Sequence, residues 1–147
     1  MSRPTSDKVL YPQLSYTIIA CAYEVHNSLG PGFGEDIYEN ALVRELEIRG
    51  IPREQQKPIQ VVYKERVVGH YRLDLVIEGK IIVELKAVST LTELFKEQLL
   101  SYLKATGLHL GILLNFGARR VEYHRVAYGE EEKREWRESA NSANEGI

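Results

Sequence analysis

Apolar residues recur at helical spacing in three stretches of the chain. Between residues 14 and 29 they fall at every third or fourth position, which predicts a helix that ends at Gly30-Pro31-Gly32. A second helix is predicted from about Glu35 to Arg49, before Gly50. A third is predicted from about Thr92 to Thr106, with Gly107 as its C-cap.

Runs of β-branched and aromatic residues, separated by turn residues, predict five strands. They fall at residues 60–63, 67–77, 80–88, 108–115 and 120–126. The predicted order is α-α-β-β-β-α-β-β, which indicates an α/β fold with a mixed β-sheet flanked by helices. A right-handed crossover through the third helix would place the fourth strand parallel to the third.

Composition fits one globular domain of 147 residues, with 44% hydrophobic and 27% charged residues. We predict a flexible N-terminal arm at 1–9, a single domain at 10–128 and a charged, disordered tail at 129–147. No apolar run is long enough for a membrane span, and the single cysteine, Cys21, is typical of a cytoplasmic protein. The net charge of −2 argues against a module that binds nucleic acid through overall positive charge.

Three charged residues interrupt the apolar runs of the second and third strands: Asp74, Glu84 and Lys86. An ionised group buried without a partner costs several kcal/mol or more, so these charges need a reason. Glu84 and Lys86 are two apart and therefore share a face of the sheet. A three-residue loop at 77–79, pairing Asp74 with residue 82, or a bulge would bring Asp74 to that face.

Two carboxylates on one face favour a hard cation such as Mg²⁺ or Mn²⁺. A surface ion pair between Glu84 and a lysine is the alternative interpretation. Gln98 lies in the middle of the apolar face of the third helix, one turn before Tyr102, and a buried amide there needs a polar partner. Glu35 lies in the apolar arc of the second helix, although in the first turn it also complements the helix dipole.

Together these residues match a known pattern. D…E-x-K followed by Q-x-x-x-Y resembles the PD-(D/E)XK nuclease superfamily, particularly its RecB-like branch. The segment G-F-G-E-D-I-Y at 32–38 resembles the signature of the GxxExxY protein family, assigned to that superfamily. The chain departs from the pattern at Leu73, where a proline would precede Asp74.

The resemblance implies a restriction-endonuclease-like core and hydrolysis of phosphodiester bonds with Mg²⁺ or Mn²⁺. DNA is favoured over RNA as the expected substrate. It implies three sets of site residues: metal ligands Asp74, Glu84 and Glu35; catalytic residues Asp74, Glu84, Lys86 and Glu35; substrate-binding residues Gln98, Tyr102, Tyr38 and His26. For His26, a place in the site and a place on the shoulder of the first helix both remain open.

Two functions compete at this point. The first is a metal-dependent nuclease, and the second is a non-catalytic module on the same fold that binds a protein or a nucleic acid. The intact set of Asp74, Glu84 and Lys86 favours the enzyme. Nucleic acid is the expected partner and no membrane contact is expected. The small size favours a homodimer or a partner protein to hold a duplex.

Overall fold

The computed structural model describes residues 10–129, which form three helices and five strands in the predicted order. Their bounds are α1 (Pro12–Leu29), α2 (Glu35–Ile48), β1 (Arg53–Tyr63), β2 (Arg66–Ile77), β3 (Ile81–Lys86), α3 (Glu93–Thr106), β4 (Leu110–Asn115) and β5 (Glu122–Ala127). None of these helices is long and apolar enough to cross a membrane. The predicted arm at 1–9 and, beyond Gly129, the predicted tail lie outside the described residues.

The five strands form one mixed sheet in the order β1-β2-β3-β4-β5. Neighbouring strands are antiparallel except β3 and β4, which run parallel, so the predicted crossover through α3 is confirmed. β3 and β4 lie at the centre and are buried almost throughout. Because both faces of this centre are covered, their sequences are nearly continuous apolar runs rather than alternating ones.

Two apolar clusters cover the two faces of the sheet. Alternate residues of β3 and β4, such as Val83 and Ile112, pack against α1 and α2, where Cys21 is fully buried. The residues between them, such as Ile82 and Leu113, pack against α3. Gly107 ends α3 in the left-handed conformation, as predicted. The sheet therefore has an α1/α2 face and an α3 face.

β1 is the element that the sequence pattern predicts least well. The apolar pattern indicates a strand only at residues 60–63, whereas pairing with β2 begins at Arg53 opposite Ile77. The additional residues are mostly polar and exposed, and they include Pro58. An edge strand tolerates proline and exposed polar side chains, because only one of its sides takes part in the sheet.

Candidate metal centre

The β2–β3 hairpin closes with a loop of three residues, Glu78 to Lys80, and pairs Ile77 with Ile81. Glu78 and Gly79 both take left-handed conformations, with φ of 51° and 65°. The predicted three-residue loop is therefore present, one residue later than expected. Continued beyond Leu75 and Val83, the last regular pair, this register would set Asp74 opposite Glu84 and not opposite residue 82. Hydrogen bonds between the two residues and the opposite strands show that the carboxylates lie close together, as the prediction required.

Regular pairing of β2 with β3 ends at Leu75 and Val83, and side chains then replace backbone partners. The Asp74 N–H donates to Glu84 Oε1 at 3.2 Å. The Leu85 N–H donates to Asp74 Oδ2 at 2.9 Å. Each carboxylate thus accepts a hydrogen bond from the backbone of the opposite strand, which holds this carboxylate pair, Asp74 and Glu84, at the point where the strands separate.

The carboxylate pair is short of positive charge. Glu84 is 7% exposed, and burial, followed by the adjacent charge of Asp74, raises the pKa of Glu84 to about 9. Lys86 lowers this pKa only in part. At neutral pH the carboxyl group of Glu84 is therefore protonated, and a bound cation would displace that proton.

The donor set fits a hard divalent cation, because all its side-chain atoms are carboxylate oxygens. Within residues 10–129 no three His, Cys, Asp or Glu side chains form a group that could hold a metal ion. Asp74 and Glu84 would therefore hold it as a pair, with water, backbone carbonyls or substrate as further ligands. Mg²⁺ is commonly held in this way, by one or two carboxylates and several waters.

Lys86 lies two residues after Glu84 in β3 and is half-buried. Its Nζ lies over the ring of Phe95 in α3, 4.7 Å from the ring centroid. This cation–π contact keeps the ammonium group on the α3 face of the sheet. The structure therefore places Lys86 on the same face as Glu84, as predicted from the spacing.

α3 brings Tyr102 to the carboxylate pair. Tyr102 is 7% exposed and packs against Tyr71, with ring centroids 4.8 Å apart. Burial, and then the nearby Glu84 carboxyl, raises the pKa of Tyr102, so its hydroxyl remains a hydrogen-bond donor. Gln98 lies one turn earlier and is half-buried, and its amide makes no hydrogen bond with the residues of 10–129.

The α2 carboxylate that approaches the pair is Glu39, and not Glu35 as predicted. Glu39 is 8% exposed and accepts a hydrogen bond from Gln56 Nε2 at 2.9 Å. The same Nε2 lies 3.4 Å from Asp74 Oδ1. Glu35 is exposed in the first turn, about one helical turn from Glu39, and no contact in the described part of the chain joins it to Asp74 or Glu84.

The sequence carries a signal for Glu39 that the prediction of Glu35 overlooked. Glu39, Leu42 and Leu46 are spaced by three and four residues, and all three are buried on one side of α2. A carboxylate in that series needs polar partners, which is the same reason that singled out Glu35. Gln56 carries no comparable signal, because it lies in a polar segment of an edge strand.

Tyr38 lies in the core rather than in the site. It is 0% exposed, and its ring stacks on Phe116 with centroids 4.7 Å apart. Its hydroxyl donates to the carbonyl of Gly30 at 2.5 Å and accepts from the Phe33 N–H at 3.2 Å. The predicted contact of Tyr38 with substrate is therefore replaced by a structural role, in which the hydroxyl holds the glycine-rich segment between α1 and α2.

His26 also has a structural position. It is 6% exposed, and its Nε2 lies 2.9 Å from the carbonyl oxygen of Ala118. Its ring also packs against Phe116. Of the two open interpretations, the structure supports the helix-shoulder residue, which ties α1 to the segment between β4 and β5.

A family model described as the PD-(D/E)XK nuclease superfamily matches residues 12–126. No curated protein matches the chain. Among solved structures, the crystal structure of SSO0001 is similar, with 20% identity, a TM-score of 0.55 and coverage of 83% of this chain. The chain spans 64% of the length of SSO0001, and at this identity the likeness shows the fold alone. Because the family model covers most of the sequence, the chain belongs to the PD-(D/E)XK nuclease superfamily.

Proposed function

We propose that this chain is a divalent-metal-dependent nuclease that hydrolyses phosphodiester bonds. The observation that carries the proposal is the carboxylate pair, in which Glu84 is buried beside the half-buried Asp74 and its pKa is raised to about 9. Such a pair destabilises the fold when both groups are ionised, so its presence in a central hairpin calls for a functional reason. Membership of a nuclease superfamily supplies that reason.

In this proposal Asp74 and Glu84 hold one Mg²⁺ or Mn²⁺ ion. When bound, such a cation lowers the pKa of a coordinated water and neutralises charge on the phosphate. Glu84 must lose its proton for this, so binding releases a proton and is favoured at higher pH. The backbone donors of Asp74 and Leu85 orient the two carboxylates before any ligand arrives.

Lys86 is the proposed catalytic lysine. Its ammonium group lies on the face of Glu84, where it would orient the attacking water or stabilise negative charge developing at the phosphate. Tyr102 would donate its hydroxyl hydrogen to a phosphate oxygen. Gln98, whose amide has no partner within residues 10–129, would contact the substrate from the preceding turn of α3.

The proposed substrate is a nucleic acid, with DNA favoured over RNA. Within the superfamily we propose a place in the RecB-like branch and among the GxxExxY proteins, supported by the segment at 32–38. The net charge of −2 supports a second copy or a partner protein that helps to hold a duplex. A cytoplasmic location is part of the same proposal.

The test is a cleavage assay on single- and double-stranded DNA and RNA, with Mg²⁺ or Mn²⁺ against a chelator. We expect metal-dependent nicking that falls by roughly 100-fold or more in Lys86→Ala, the range typical of a lost catalytic group. Asp74→Ala should abolish it. The matched control is Lys80→Ala, because Lys80 lies just before the same strand but is exposed and paired with Glu78. Equal activity in Lys86→Ala and the unmodified protein would reveal a contaminant.

A further inference from the structure

Gln56 has a strained backbone directly across from Asp74. On β1 and β2, Gln55 pairs with Leu75 and Lys57 pairs with Leu73, so Gln56 stands opposite Asp74. Its φ is 52°, in the left-handed region, which glycine and asparagine adopt readily but glutamine does not. Strain of this kind persists only where surrounding contacts fix it, and it clusters at functional sites.

The strained residue turns two adjacent side chains toward one carboxylate. Gln55 Nε2 donates to Glu39 Oε2 at 2.7 Å, and Gln56 Nε2 donates to Glu39 Oε1 and Oε2 at 2.9 and 3.0 Å. In a regular strand, consecutive side chains point to opposite faces. The left-handed conformation of Gln56 overrides this alternation. Glu39 then fixes the amide with both of its oxygens.

The partner strand shows the matching irregularity. Leu73 and Val76 both pack on the α3 face, although strict alternation would send them to opposite faces. Leu75, between them, packs on the α1/α2 face. The departure from alternation therefore falls at Asp74, opposite Gln56. The two strands are deformed together at this one position.

The result is that a neutral donor faces each oxygen of Asp74. Oδ2 accepts the Leu85 N–H at 2.9 Å, and Oδ1 faces Gln56 Nε2 at 3.4 Å. The second bond is long, so its effect is orientation rather than strength. A carboxylate has about four lone-pair sites, so both oxygens keep capacity for a cation. A lysine or arginine in place of Gln56 would neutralise Asp74 instead.

We propose that Gln56, fixed by Glu39, is a positioning residue that holds Asp74 Oδ1 in the orientation that binds the divalent cation. This role rests on the proposed function, because it presumes that Asp74 is a metal ligand. Groups that orient a metal ligand without touching the metal typically change metal affinity by about 10- to 100-fold when removed. The long bond of Gln56 places the expected effect near the lower end of that range.

The first measurement is Mn²⁺ affinity by calorimetric titration of the full chain. We expect Gln56→Ala and Gln56→Gly to bind Mn²⁺ about tenfold more weakly than the unmodified protein. Glycine adopts φ of 52° without strain, so Gln56→Gly removes the amide while keeping the backbone path. The matched control is Gln55→Ala. Gln55 also donates a hydrogen bond to Glu39, but the contact with Asp74 is made by Gln56. The affinity of this control variant should change by less than about threefold. Unchanged affinity in both Gln56 variants would overturn the role.

The second measurement needs no metal. The amide proton of Leu85 reports the position of Asp74 Oδ2, and its NMR resonance should move in both Gln56 variants but stay in place in Gln55→Ala. Failure of the unmodified protein to bind Mn²⁺ would overturn the proposed function. A Leu85 resonance that does not respond to Gln56→Ala or Gln56→Gly would instead overturn the positioning role.

Discussion

At the scale of single residues, Glu84 couples the stability of the fold to pH. The pKa of this carboxyl is about 9 in the folded chain and 4.5 as its ordinary value, so folding favours the protonated form. The stability it contributes is fully present below about pH 4.5 and is lost as the pH rises to about 9. The slope from one such group is at most about 1.4 kcal/mol per pH unit.

Thermal melts in a chelator, from about pH 5 to about pH 9, measure this directly. We expect the Tm of the unmodified protein to fall across this range, whereas Glu84→Gln, which cannot ionise, should lack that part of the decline. Mg²⁺ added near pH 8 should raise the Tm of the unmodified protein but not that of the variant. Glu78→Gln, in the exposed hairpin loop, is the control and should follow the unmodified profile. Parallel profiles for all three proteins would contradict the coupling.

The same scale shows what a sequence reveals about a site. Asp74, Glu84 and Lys86 could be singled out as candidate site residues because each is a charged residue within an apolar strand. Glu35 was predicted and Glu39 was overlooked, because one turn of helix decides which carboxylate on the apolar side of α2 meets a neighbouring element. That decision depends on the packing of α2 against β1, where Gln55 and Gln56 supply the amides.

At the scale of elements, Tyr38 fixes the connection between α1 and α2. Tyr38→Phe would remove its hydroxyl from the Gly30 carbonyl and the Phe33 N–H, with an expected loss of about 1 to 2 kcal/mol in unfolding free energy. Denaturant titration measures the loss, and Mn²⁺ affinity should stay unchanged because Tyr38 is fully buried in the core between the sheet and the α1/α2 layer. Tyr16→Phe is the control, since Tyr16 is 76% exposed on α1. Weaker Mn²⁺ binding by Tyr38→Phe would instead show that Tyr38 contributes to the metal site.

The elements themselves were predictable wherever burial imposes a periodic pattern. β3 and β4 are buried, so their apolar runs were found, and the parallel crossover followed from handedness. The first half of β1 was not found, because its exposed polar residues are β-structured only through pairing with β2. The predicted position of the hairpin loop was one residue early, since Glu78 takes a left-handed conformation that glutamate does not signal.

At the scale of the whole molecule, the site depends on how closely α3 packs against the sheet. The hairpin supplies Asp74, Glu84 and Lys86. Helix α3 supplies Phe95, whose ring contacts the Lys86 ammonium group, and it also supplies Tyr102, which lies near Glu84. Gly111 in β4 makes that close packing possible. A Cβ added there would lie 2.7 Å from Leu99 Cγ, well inside contact distance.

We therefore expect Gly111→Ala to displace α3, with a cost of about 1 to 3 kcal/mol in unfolding free energy and weaker cleavage. Leu99→Ala should cost about 2 to 5 kcal/mol, because Leu99 is fully buried. In the double variant the new methyl group occupies space that Leu99 leaves. The loss of unfolding free energy in the double variant should therefore be at least about 1 kcal/mol smaller than the sum of the losses in the two single variants.

Denaturant titration of the two single variants and the double variant measures this coupling. Gly69→Ala is the matched control, because a Cβ at Gly69 meets no atom within 4 Å, and it should change stability by less than about 0.5 kcal/mol. Cleavage should recover in part in the double variant relative to Gly111→Ala, since α3 returns toward the sheet. Additive losses would mean that Gly111 and Leu99 act independently, and that close packing of α3 does not shape the site.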